Sequence, residues 1–198
     1  MSQPESQDNS IHYALKFFTE DEVKKVIDAR IDLELEDNDK CRPIHYALKF
    51  QTAAVVKYLI DAGVNLNCED NHKYKPIHYA FKFQTSDVIQ YIINQNPDLE
   101  CEDRHKYRPI HYACASSTPE VIMNLIDHGV DLECETSGGY RPIHYVCNYS
   151  TSELIKYFIS RNVNLKFESD THNLAELIDR NVTLNDDEKH ELKMIIKS

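Results

Sequence analysis

Five histidines carry the first hint of chemistry. His12, His45, His78, His111 and His144 stand 33 residues apart, and each is followed by tyrosine: Tyr13, Tyr46, Tyr79, Tyr112 and Tyr145. Imidazole is a metal ligand and a proton carrier near neutral pH, so a repeated His is a candidate repeated ligand or repeated base. Cysteines recur with the same period, at Cys68, Cys101 and Cys134 and again at Cys114 and Cys147. Carboxylates do too, among them Glu100, Glu102, Asp103, Glu133 and Glu135. Against these stand motifs that are missing. The chain has no C-x-x-C, no H-E-x-x-H, no G-x-S-x-G and no phosphate-binding loop, and the Gly138-Gly139 pair alone makes no nucleotide site.

Whether the repeated side chains can act together depends on the elements that carry them. The histidine stretch reads RPIHYALKF at 42–50, KPIHYAFKF at 75–83, RPIHYACAS at 108–116 and RPIHYVCNY at 141–149. Proline suits the first helical position, where its missing N–H has no partner to lose. Ile44, Ala47 and Leu48 then follow at helical spacing, an apolar stripe on a short helix. Thr19, Thr52, Thr85, Thr118 and Thr151 also lie one period apart. Each opens a second helix as its N-cap, worth about 1 kcal/mol over Ala, and Thr19 with Glu22 forms a capping-box pair. The second helices carry Val55, Val56, Leu59 and Ile60 and their counterparts. They stop at Gly63, Asn96, Gly129 and Asn162, residues that tolerate the left-handed terminal position. A lone helix pair leaves half its apolar surface wet, so such units must stack.

The unit resembles the ankyrin repeat, whose 33-residue period and T-P-L-H-x-A signature compare with P-I-H-Y-A here. The expected fold class is all-α: an ankyrin-repeat solenoid of stacked helix-turn-helix units with short hairpin-like loops. The expected layout is a polar tail over 1–9, five repeats over 10–168 (10–36, 37–69, 70–102, 103–135, 136–168) and a degenerate capping repeat over 169–198. Two departures stand out. Arg42, Lys75, Arg108 and Arg141 replace the Thr before Pro, and Lys40, Lys73 and Lys106 replace the usual turn Gly that Gly139 keeps. A basic residue at a helix start opposes the helix dipole, and the acidic pairs Glu69-Asp70 and Glu102-Asp103 are the candidates to offset it.

The resemblance implies a structural histidine that bonds to backbone near the helix start and ties one unit to the next. Spacing agrees. Equivalent atoms of stacked helices lie about 8–10 Å apart, whereas metal ligands converge at about 2 Å. The cysteines, in the same columns, are too far apart for disulfides and read as reduced thiols of an intracellular chain, with Cys41 the most exposed. The recurring carboxylates read as a solvated ladder, not a sheltered catalytic pair. No catalysis, cofactor or metal is therefore expected.

The expected function is protein–protein interaction. By resemblance, the hairpin tips and the outer side of each first helix form the concave, partner-binding face. That face holds Lys16, Phe17, Lys49, Phe50, Lys82 and Phe83 on the helices. At the tips it holds His72, Tyr74, Arg104, His105 and Tyr107, with Tyr140 and Tyr149 further on. Aromatic and basic residues are enriched in binding hot spots. The alternative is that the Phe rings tuck under the hairpins as extra core. The expected partner is another protein or an acidic peptide segment, with self-association through the same aromatic strip as the other reading, so the chain is expected to be a monomer with a homo-oligomer as the alternative. A net charge of −11 argues against nucleic acid. No apolar run reaches a membrane span, and MSQPESQDNS lacks the layout of a signal peptide. A cytoplasmic location, or else a nuclear one, is expected.

Overall fold

The computed structural model describes residues 11–29, 31–166 and 173–197. The polar stretch 1–9 and the start of the capping segment at 169–172 lie outside the described residues. The fold class is all-α, that of a repeat solenoid; the described residues hold twelve helices and no strand. The chain divides into two compact units, Met1–Arg104 and His105–Ser198.

The first unit contains α1 (Ile11–Phe17), α2 (Glu20–Asp28), α3 (Pro43–Phe50), α4 (Ala53–Asp61), α5 (Pro76–Phe83) and α6 (Ser86–Ile93). The first helices α1, α3 and α5 pack side by side in one layer, and α2, α4 and α6 in a second. Ile44, Ala47 and Leu48 of α3 and Val55, Val56, Leu59 and Ile60 of α4 are all buried, as the stripes require. Prolines 43 and 76 occupy the first turn. Thr52 accepts the Val55 N–H at 3.4 Å. Glu22 accepts both the Thr19 N–H (2.9 Å) and the Thr19 hydroxyl (2.8 Å).

The second unit contains α7 (Pro109–Ser116), α8 (Pro119–Asp127), α9 (Pro142–Tyr149), α10 (Ser152–Ser160), α11 (Leu174–Arg180) and α12 (Asp186–Lys197). Here α7, α9 and α11 form one layer, with α10 against α12 in the other. Leu174, Ile178 and Leu192 bury the inner side of the last helix pair. Lys193 pairs with Asp179 at 2.6 Å.

Consecutive repeats are interlocked by carboxamides, two of which, Gln51 and Gln84, stand one period apart. Gln51 donates to the Leu15 (2.8 Å) and Phe18 (3.3 Å) carbonyls at the end of α1. Gln84 does the same to Leu48 (2.7 Å) at the end of α3. In the second unit Asn181 serves the Cys147 and Ser150 carbonyls at 3.0 and 2.8 Å. Each such bond satisfies a carbonyl that a helix C-terminus leaves without an intrahelical donor.

The turn residues behave as the chain's glycines do. Gly63, Gly129, Asn96 and Asn162, which end second helices, all take positive φ. So do Lys40 (φ 59°), Lys73 (φ 63°) and Lys106 (φ 59°), which occupy the hairpin position where Gly139 has φ 76°. Substituting Lys for Gly thus leaves the turn conformation in place, at a steric cost of about 1–2 kcal/mol per lysine.

Candidate functional site

The first two hairpins are each built around one carboxylate. In the second hairpin Asp70 Oδ1 accepts the His72 N–H at 2.7 Å and the Tyr74 N–H at 2.9 Å, while its Oδ2 accepts the Tyr79 hydroxyl at 2.9 Å. In the first, Asp37 accepts the Asp39 and Cys41 N–H groups at 2.8 and 2.9 Å and the Tyr46 hydroxyl at 2.8 Å. Asp70 and Asp103 are buried. The expectation that the acidic pairs Glu69-Asp70 and Glu102-Asp103 offset the helix-start cations thus holds for Glu69, which meets Lys75, and not for the buried Asp70. Glu69 lies 3.7 Å from Lys75, but Asp70 is turned inward to hold the hairpin. The cations find other carboxylates: Arg42 pairs with Glu34 and Glu36 at 2.5 and 2.9 Å, Lys75 with Asp98 at 2.8 Å, and Arg141 with Glu133 and Glu135 at 2.8 and 2.7 Å.

The signature histidines are fixed by the same loops. His45 Nδ1 accepts the Arg42 N–H at 3.0 Å, and His78 and His111 accept the Lys75 and Arg108 N–H groups at the same distance. An accepting Nδ1 puts the ring proton on Nε2. From there His12 donates to the Cys41 carbonyl (3.0 Å) and His111 to that of Cys134 (3.2 Å). Burial pushes the His45 imidazole down to about 4, with the nearby Asp70 carboxylate opposing the shift. A histidine so held is a neutral structural tie. Among the described residues no group of three or more His, Cys, Asp and Glu side chains is placed to hold a metal ion. The six thiols are all free. Burial pushes Cys68 and Cys101 up to about 12 and the half-buried Cys41 to about 11.

The exposed aromatics lie at the ends of the first helices. Phe17, Phe50 and Phe83 are 60%, 43% and 48% exposed, so the rings are not extra core under the hairpins. They rest against the tyrosines of the same helices: Tyr13 on Phe17 (ring centroids 4.7 Å apart), Tyr46 on Phe50 (5.9 Å) and Tyr79 on Phe83 (6.0 Å). The lysines lace them together. Lys16 Nζ stands 5.2 Å from the Phe17 centroid and 5.8 Å from that of Phe50, and Lys49 Nζ stands 5.1 Å from Phe50 and 5.9 Å from Phe83. Lys82 instead covers the Tyr74 ring at 3.8 Å. At the tips, His72 and Arg104 are exposed and joined, with Arg104 Nη1 donating to His72 Nδ1 at 3.0 Å. Tyr74 is half-buried.

Lys16, Lys49, Phe50 and His72 also wall a cavity of about 230 Å³. Tyr46, Tyr79, His45, Cys41, Asp37, Asp39 and Asp70 complete its lining. Tyr46, Tyr79, Asp37 and Asp70 are not among the residues that the sequence pattern places on the face. The signal available was the constant spacing of nine residues from Asp37 to Tyr46 and from Asp70 to Tyr79, which marks each pair as one clamp.

The second unit presents a different surface. His105, Tyr140 and Tyr149 are exposed there, Tyr149 at 57%. Tyr107 is half-buried: it accepts the Tyr145 hydroxyl at 3.0 Å and packs on His111. The Lys-Phe pairs of the first unit have Ala115-Ser116 and Asn148-Tyr149 as counterparts.

No helix among the described residues is long and apolar enough to cross a membrane. Compared with known families, the chain matches the model described as Ankyrin repeats (3 copies) over residues 11–103 and 82–169. Repeats of this kind are generally protein–protein interaction modules, and the family is typically non-enzymatic. Comparison with curated proteins gives no match.

Proposed function

We propose that this chain, which belongs to the ankyrin-repeat family, is a non-catalytic module that holds a partner protein on the face that the first helices and hairpin tips make within each unit. In the first unit that face comprises Lys16, Phe17, Lys49, Phe50, Lys82 and Phe83, with His72, Tyr74 and Arg104 at the tips. In the second it comprises His105, Tyr107, Tyr140 and Tyr149. The observation that carries the reading is the exposure of Phe17, Phe50 and Phe83 at one repeated position. Three adjacent wet rings are an apolar patch of the kind that marks an interaction surface. Lysine ammoniums poised over them supply the polar partner that hot spots of mixed aromatic and basic character use. A protein fits this face better than a nucleic acid, because the chain as a whole carries −11. Six free thiols suit a reducing, cytoplasmic setting.

The test compares two immobilised baits exposed to the same lysate: the full chain and its Phe17→Ala/Phe50→Ala/Phe83→Ala variant. Proteins retained by the first and lost by the second, with the two baits melting within a few degrees of each other, support the reading. Identical sets contradict it. Light scattering over a range of concentrations runs alongside. An oligomer that the variant dissolves would make the partner a second copy.

A further inference from the structure

The cations of the first unit differ in the partners they find. Lys24, Arg42, Lys57 and Lys75 each sit within 2.9 Å of at least one carboxylate. Lys16 and Lys49 have no carboxylate of the described residues within ion-pair distance, although the chain holds 33 acidic residues. Their ammoniums lie over phenylalanine rings instead, each between the rings of successive repeats. A ring face attracts the positive charge but leaves the three N–H donors of an ammonium without an acceptor of full strength. Two ammoniums without a direct ion pair thus stand along a line where apolar rings are also left wet.

The rings follow one another closely. From the distances of each ammonium to the two rings beside it, consecutive rings lie within about 11 Å of each other. Three residues of polyproline II advance about 9.3 Å, and seven residues of α-helix about 10.5 Å. Either brings an apolar side chain to each ring with a carboxylate between. The adjoining cavity is also lined by Asp37, Asp39 and Asp70; Asp37 and Asp70 are held by their hairpin hydrogen bonds, and Asp39 is exposed.

We infer that the ligand of this face is an acidic segment of another protein in which apolar residues alternate with carboxylates. The apolar side chains land on Phe17, Phe50 and Phe83, and the carboxylates on Lys16 and Lys49. This rests on the reading of the face as the binding surface.

The test is a selection of random displayed peptides on three full-length baits: the wild type, Lys16→Gln/Lys49→Gln and Phe17→Ala/Phe50→Ala/Phe83→Ala. All three are checked for equal helicity. The expected peptides are rich in Asp and Glu, with apolar residues recurring at every third or every seventh position. They are lost on both variants, and a synthesised winner binds the lysine variant about tenfold more weakly and weakens with added salt. Neutral or basic peptides that depend on the phenylalanines but not on the lysines would overturn the acidic ligand while leaving the face as the binding surface. Peptides retained equally by the phenylalanine variant would remove the face itself. An empty selection, alongside a control bait that yields peptides, would overturn the proposal as well.

Discussion

Removing the Asp70 carboxylate tests how the binding face is held. Asp70 is 6% exposed and accepts three hydrogen bonds, from His72 N, Tyr74 N and the Tyr79 hydroxyl. The two amides sit at a hairpin tip, where water replaces the lost acceptor in part. The Tyr79 hydroxyl is half-buried and is left poorly served. At about 1 kcal/mol for each bond, less the relief of no longer burying a charge, Asp70→Ala destabilises the first unit by about 2–3 kcal/mol. For a chain of this length that is a fall in Tm of roughly 5–10 °C. Asp70→Asn keeps an oxygen for the two amides and costs about 1 kcal/mol. Thr136 is the internal comparison, since it holds the Tyr140 N–H at 3.2 Å through a neutral hydroxyl. Thr136→Ala costs about 1 kcal/mol, at the low end of the series. The assay is urea and thermal unfolding followed by far-UV circular dichroism, because the chain has no tryptophan. An Asp70→Ala protein as stable as the wild type, or an Asp70→Asn protein damaged as badly as Asp70→Ala, would refute the clamp. Since the same hairpin presents His72 and Tyr74, Asp70→Ala also weakens partner binding, more than Thr136→Ala does.

Two other outcomes follow from the same geometry. Lys73→Gly releases a left-handed backbone (φ 63°) at the expense of a floppier unfolded chain, so it raises stability by about 0.5 kcal/mol in a urea titration. His45, neutral in the folded chain and pushed down to about 4 by burial, binds its proton first in the unfolded chain, so its contribution is full above about pH 6.5 and is lost as the pH falls toward 4. His45→Gln removes that titration and shrinks the stability difference between pH 7 and pH 4 by about 3 kcal/mol, seen as a flatter pH profile of the urea midpoint.

Much of the fold is legible in the sequence because the repeat positions do one job each. Pro43 can only open a helix, Thr52 caps the next, and Gly63 or Asn96 takes the positive φ that ends it. The exposure of Phe50 is also readable after the fact: it stands six residues beyond Ile44, off the stripe that Ile44, Ala47 and Leu48 define. Other features escape because they depend on partners from a different repeat. An acidic residue is expected in water, and nothing local shows that Asp70 is buried under Tyr79 and two hairpin amides. Gln51 looks like a polar surface residue until the end of α1 lies beside it. Lys40, Lys73 and Lys106 violate the preference for glycine at positive φ, and in the first two hairpins the bonds to Asp37 and Asp70 hold the turn regardless. The contrast between the two units comes from Lys-Phe at three positions against Ala-Ser and Asn-Tyr at the remaining two, which matters only once the rings are known to face water.

The central claim is that the exposed phenylalanine rings carry the binding. Calorimetric titration of one purified partner against the wild type and against Phe50→Ala tests it most directly. Phe50 touches Tyr46, lies under both lysines and walls the cavity, yet is 43% exposed, so its loss leaves the fold intact. The account predicts an affinity at least about tenfold weaker, about 1.4 kcal/mol, with little change in Tm. An unchanged affinity would contradict it.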